Sequence, residues 1–164
     1  MIKIGIISDT HSVFDDKLKH FLDPVDTIWH AGDIGDIETA DLINAFKPLV
    51  AVYGNIDDFT VRSTYRNAVT AFESEGARVI MTHIGGYPGR YEASFKDKIA
   101  AYRPTIVVTG HSHILKVMWD KQMEHLHINP GAAGINGFHR VRTAVRLTID
   151  NGIPRDLEVG QWDR

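Results

Sequence analysis

Five short apolar runs in this chain each end in residues able to bind a metal ion, and no other sequence feature constrains the fold as strongly. Ile2–Ile7 is followed by Asp9 and His11, Thr27–Ala31 by Asp33, and Leu49–Tyr53 by Asn55. Arg78–Thr82 is followed by His83, and Thr105–Thr109 by His111 and His113. Apolar runs of this length, bounded by turn residues, read as buried strands. In open α/β sheets ligands collect in the crevice beyond the carboxyl ends of the strands, so side chains far apart in sequence can converge there.

The segments between these runs support an α/β class. Asp15–Leu22 has a short helical pattern closed by Pro24. Asp36–Phe46 carries a mixed i+3/i+4 apolar face ended by Pro48. Such alternation implies parallel strands joined by crossover helices, so the first half is βαβαβ. Beyond Asp58 the pattern changes. Ala68–Phe72 and Ala77–Thr82 read as antiparallel neighbours across a Glu73–Gly76 turn, and Phe95, Ile99 and Tyr102 mark one helix face before Pro104. The end is mostly β: Leu115–Trp119, His125–Ile128, and a hairpin of Arg142–Ile149 and Ile153–Val159. Asn151-Gly152 in that hairpin suits a tight type I′ turn. Two sheets with helices outside fit this order.

At 164 residues the chain suits a single domain over 1–164, and 43% apolar with 24% charged residues is ordinary for a soluble globular protein. A net charge of −3 makes nucleic acid an unexpected partner. A homo-oligomer is compatible with this composition. No run approaches a membrane span, and the N-terminal segment lacks a basic leader, so a cytoplasmic location is expected. The absence of cysteine excludes disulfides and thiolate metal sites. Imidazoles, carboxylates and one amide oxygen remain, a set that suits a pair of divalent ions such as Mn, Ni, Co, Fe or Zn.

Each block has a local alternative. Asp9-Thr10-His11 could be a helix cap with a surface histidine, and Gly54–Asp57 a simple turn. Gly110-His111-Ser112-His113 is harder to explain as a turn alone. Asp36 is read mainly as the cap of the helix it precedes. Asp36, Asp57 and His30 are also candidates to stand behind the ligands and orient them. His20 and His139 are read as surface residues, and His125 and His127 as sharing one face of a strand. The His83–Tyr91 segment, with Gly85, Gly86 and Gly89 around Tyr87, reads as a mobile rim, with Arg62, Arg66 or Arg90 able to meet a second phosphate, although solvated loop residues are the simpler reading. The residues that bind substrate stay undefined.

Taken in order, Asp9-x-His11, Gly32-Asp33-x-x-Asp36, Gly54-Asn55-x-Asp57, His83 and Gly110-His111-x-His113 resemble the calcineurin-like metallophosphoesterase superfamily, in its small cap-less phosphodiesterase branch. The resemblance covers residues 1 to about 135, including Asn129-Pro130-Gly131. It implies a four-layer αββα sandwich with two central mixed sheets. Asp9, His11 and His113 would hold a first metal, Asn55, His83 and His111 a second, and Asp33 would bridge them. The implied activity is a binuclear-metal-dependent phosphoesterase, on phosphodiesters rather than monoesters. A metal-bridging hydroxide would attack a small phosphoester substrate, with Asn55 and Asp33 as the residues closest to the chemistry. The larger family members carry a histidine after the asparagine as a proton donor, and here Ile56 stands in that place. The alternative is a protein-interaction scaffold of the same fold, as in the retromer subunit, using the site only for metal-regulated binding.

Overall fold

The computed structural model describes residues 1–164 and contains two five-stranded sheets packed face to face. The first has the order β10-β9-β1-β2-β3, built from β1 (Ile2–Ile7), β2 (Thr27–His30), β3 (Leu49–Ala51), β9 (Val141–Asp150) and β10 (Ile153–Asp163). The second has the order β4-β5-β6-β8-β7, from β4 (Val69–Ser74), β5 (Ala77–Thr82), β6 (Ile106–Val108), β7 (Leu115–Asp120) and β8 (His125–Pro130). Strands β1, β2 and β3 run parallel, as do β5, β6 and β8; β9 lies antiparallel to β1 inside the first sheet, and the hairpins β9–β10, β4–β5 and β7–β8 supply the antiparallel pairs at the edges.

Strand alternation explains the four layers. Ile4, Ile6 and Trp29 from the first sheet meet Val79, Met81, Ile106, Val108 and Ile128 from the second in one buried cluster. Their neighbours on the same strands point outward. Ile7 and Ile28 pack against Leu18, Leu22 and Ile43 of helices α1 (Asp16–Leu22) and α2 (Ile37–Phe46). Ile80 and Val107 pack against Phe95 and Ile99 of α4 (Ala93–Tyr102). The strands are therefore covered on both faces, which is why they read as continuous apolar runs. None of the helices is long and apolar enough to cross a membrane.

Local signals set the helix ends. Asp15 and Asp36 cap α1 and α2, their carboxylates accepting from Leu18 N and Thr39 N. The short helix α3 (Phe59–Thr64), capped by Asp58, was not expected from the sequence. Its single apolar anchor, Val61, is too little for a periodic pattern. The β4–β5 turn is tighter than expected: Ser74 pairs with Ala77, leaving only Glu75 and Gly76, both at positive φ. Asn151 and Gly152 form the matching β9–β10 turn, with φ of 49° and 80°. Gly152 N donates to Glu75 O, so the two hairpin tips tie the sheets together at the end where β1 begins.

Candidate metal centre

All seven ligand-type residues stand just beyond the carboxyl ends of parallel strands, three of them in the first sheet and two in the second. The chain must turn away sharply at that edge. Asp9, His11, Asp33, His111 and His113 all hold positive φ, between 45° and 72°. For residues other than glycine this costs on the order of 1–3 kcal/mol each, and such strain gathers where surrounding structure holds functional groups in place. Here backbone bonds do the holding: Asp9 N donates to Gly32 O, His11 N to Asp33 O and Ser12 N to Ile34 O.

Two trios result. The ligand-type atoms of Asp9, His11 and His113 lie within 4.8 Å of one another, and so do those of Asp33, His83 and His111. Asn55 Oδ1 adjoins the second trio, 3.1 Å from His111 Nδ1. Asp33 Oδ2 lies between the two groups, 3.2 Å from His83 Nε2 and 3.6 Å from His11 Nε2. Asp9 Oδ1 lies 3.2 Å from His113 Nε2 and 3.8 Å from His83 Nε2. These contacts lack hydrogen-bond geometry, and Asp9 Oδ1, His11 Nε2 and His83 Nε2 are buried without a partner. Buried polar atoms are almost always satisfied, so three orphans turned toward the same small space fit a missing cation. Without thiolates the donor set suits first-row divalent ions.

Electrostatics point the same way. Burial raises the pKa of Asp9, but His11, His113 and Ser8 beside it override that and hold the carboxyl well below its usual range. Burial likewise raises Asp33, and His83 with the Ile56 N–H brings it below normal. Asp9 raises the pKa of His11 against the opposing effect of burial, and Asp33 with Asp9 does the same for His83. These opposed shifts mark a centre whose carboxylates call for positive charge beside them.

The histidine tautomers follow from outer contacts. His83 Nδ1 donates to Ala31 O at 2.8 Å, which leaves Nε2 as a lone pair facing Asp33. His139 is not a free surface residue. It is half-buried, its Nε2 donates to Gly134 O at 2.8 Å, and its Nδ1 therefore accepts from His113 Nδ1 at 3.2 Å. His113 Nε2 is thereby left as a lone pair toward Asp9. His30 is wholly buried, and burial pushes its pKa down to about 4. Its Nδ1 accepts from Gly32 N, so Nε2 donates to Thr10 Oγ1, which passes its own proton to Ile34 O. His30 thus braces the loops carrying Asp9 and Asp33.

Asp57 has the larger orienting role. Its carboxylate accepts from Ile34 N, Gly35 N and Gly54 N, joining the loops after β2 and β3. Asp36 is spent on Thr39 N and Oγ1 as the cap. Arg62, considered for a second phosphate, instead donates to Asp57 O, Gly54 O and Asn55 O and stacks on Tyr53, so it buttresses the Asn55 loop. Gly54 is required sterically, since a Cβ there would overlap the Asp33 carboxylate and amide. The rim at residues 84–91 is tied rather than free, with Gly85 O, Gly86 O and Tyr87 O accepting from Glu92 N, Thr109 Oγ1 and Arg90 N.

The calcineurin-like phosphoesterase superfamily domain matches this chain over residues 2–152. The chain belongs to that superfamily. A probable metallophosphoesterase of Methanothermobacter thermautotrophicus is 28% identical over 115 residues, covering 67% of this chain and 66%, just under two thirds, of that relative. Among solved structures, Chaetomium thermophilum Vps29 superposes with a TM-score of 0.75 at 15% identity, covering 100% of both chains. A novel archaeal phosphodiesterase superposes with a TM-score of 0.71 at 21% identity, covering 96% of this chain and 99% of that one. At such identities the structural likeness speaks for the fold, the expected αββα sandwich.

Proposed function

We propose that this chain is a binuclear-metal-dependent phosphoesterase acting on phosphodiesters. The observation that carries this is the convergence of Asp9 Oδ1, His11 Nε2 and His83 Nε2 as buried atoms without partners. Asp9, His11 and His113 would hold one divalent ion, Asn55, His83 and His111 the other, with Asp33 shared. When bound, such a pair polarises a phosphoryl oxygen and lowers the pKa of a shared water toward neutrality.

The protein's own part is positional. Asp33 is fixed by the Ile56 N–H, Asp9 by Ser8 Oγ and His111 N, and His83 by Ala31 O, so the set costs little reorganisation when substrate arrives. With its oxygen toward His111, Asn55 has an N–H left to donate to a phosphoryl oxygen. Arg62 is committed to backbone carbonyls, so it is not free to meet the second negative charge of a monoester, which favours a diester. Similarity to an archaeal phosphodiesterase supports the same choice.

Elemental analysis together with assay after metal exchange tests this reading. Two ions per chain are expected, with hydrolysis of a synthetic phosphodiester abolished by chelation and restored by manganese, nickel or cobalt. His139→Ala should weaken retention of the ion at Asp9, His11 and His113 by about 10–100-fold and spare the other, because loss of an orienting partner releases the ligand ring. Equal loss at both positions, measured by titration with a competing chelator, would reject that role.

A second reading, a scaffold of the same fold, draws on exposed apolar side chains at the start of α3 and in the segment before β9. Phe138 is fully exposed and Phe59 nearly so. Two bound ions with no turnover on any phosphoester would favour it.

A further inference from the structure

Beside the metal centre, on the far side of His111, lies a recess of about 320 Å³ between the 84–87 segment and the outer face of β8. Ile84, Tyr87 and Ile114 form its apolar wall, Lys116 stands at its side, and no carboxylate lines it. Lys116 Nζ sits 4.3 Å from the centroid of the Tyr87 ring. His127 is among the residues that line it, wholly buried, and its Nε2 has no hydrogen-bond partner. A dry pocket has no reason to carry such an atom, and a buried polar group without a partner marks a missing ligand or water.

The other end of His127 is accounted for. Its Nδ1 lies 2.7 Å from Tyr91 Oη, which lies 2.8 Å from His125 Nε2. The hydroxyl has one proton, so it donates to one ring and accepts from the other. Reversing the chain switches His127 Nε2 between donor and acceptor. Burial, His125 and Lys116 push the pKa of His127 down to about 3, so the ring meets a ligand neutral.

Resting on the phosphodiesterase reading, we propose that this recess holds one organic arm of the diester, and that this arm is a planar heterocycle with a hydrogen-bonding edge, of the nucleobase type. An apolar arm would leave His127 Nε2 unsatisfied, and a sugar or second phosphate would forfeit the wall of Ile84, Tyr87 and Ile114. A polar-edged ring meets both demands, its face against Tyr87 and its edge against His127 and Lys116. The invertible Tyr91 chain accommodates either polarity at that edge.

The test uses three alkyl esters with the same leaving group: methyl, benzyl and thymidine-5′-yl p-nitrophenyl phosphate. In the metal-loaded protein kcat/KM should rise from methyl through benzyl to thymidine-5′-yl. Tyr87→Ala should lower the thymidine-to-methyl ratio about tenfold, as expected for loss of one base–aromatic contact. Lys116→Met should lower the thymidine-to-benzyl ratio. Equal rates for benzyl and thymidine esters, or a ratio unmoved by Tyr87→Ala, overturn the proposal. A separate arm needs no turnover: titrating free thymidine into the metal-free protein should shift the imidazole resonances of His127 saturably, and their constancy also overturns it. If no diester is hydrolysed with any metal, the reaction assignment fails and the thymidine titration alone decides the recess.

Discussion

Asp33→Asn is expected to lose both metal ions together and, with them, phosphodiester turnover. Its Oδ1 accepts from Ile56 N at 3.0 Å, so the amide oxygen of the variant keeps that bond. The new NH2 then occupies the place of Oδ2, where His83 Nε2 stands 3.2 Å and His11 Nε2 3.6 Å away. One nitrogen belongs to each trio, so a donor replaces a negative acceptor at both. Losing a partner that merely orients a ligand costs about 10–100-fold in metal affinity, and a ligand shared by two ions should exceed that at each. His113→Ala and His111→Ala should each lose chiefly one ion. Metal content by elemental analysis, with thermal unfolding to exclude general collapse, separates these outcomes. Loss of a single ion in Asp33→Asn, or full activity, would sink the bridging assignment.

Leaving-group dependence should also be steep. The Ile56 backbone N–H serves Asp33, and its half-exposed side chain has no proton to give. No imidazole outside the ligand set is placed to give the proton in its stead. His139 is engaged by Gly134 and His113, and His30 by Thr10 and Gly32, while burial pushes the pKa of His127, open only at Nε2, down to about 3. A general acid contributes about 10²–10⁴-fold, and without one alkyl diesters should lag aryl diesters by more than their intrinsic reactivity difference requires. Ile56→His should recover part of the loss selectively for poor leaving groups. A shallow dependence under conditions where chemistry limits the rate would mean that another group protonates the leaving oxygen.

Both predictions depend on residues that the sequence displays openly. The αββα class and the clustering of Asp9, His11, Asp33, Asn55, His83, His111 and His113 were legible because each follows an apolar run. A strand buried on both faces must be apolar throughout, and a parallel strand must end at the same edge as its neighbours. Asp36 as a cap and Asn151-Gly152 as a turn were legible because those signals act over three or four residues.

His139, Tyr91 and the true employment of Arg62 were not. His139 reaches His113 from a loop without periodicity, 26 residues away, and Tyr91 joins two histidines more than 30 residues downstream. Arg62 lies on a helix whose single buried anchor gives no pattern. By itself the sequence determined which edge of the sheets would carry the chemistry, because periodicity and turn propensity are local and repeat along the chain. Only the tertiary structure decided which nitrogen of each histidine faces the centre and which atoms lack partners. Those depend on single hydrogen bonds between loops that local preferences leave free, and the packing of two sheets brings them within reach.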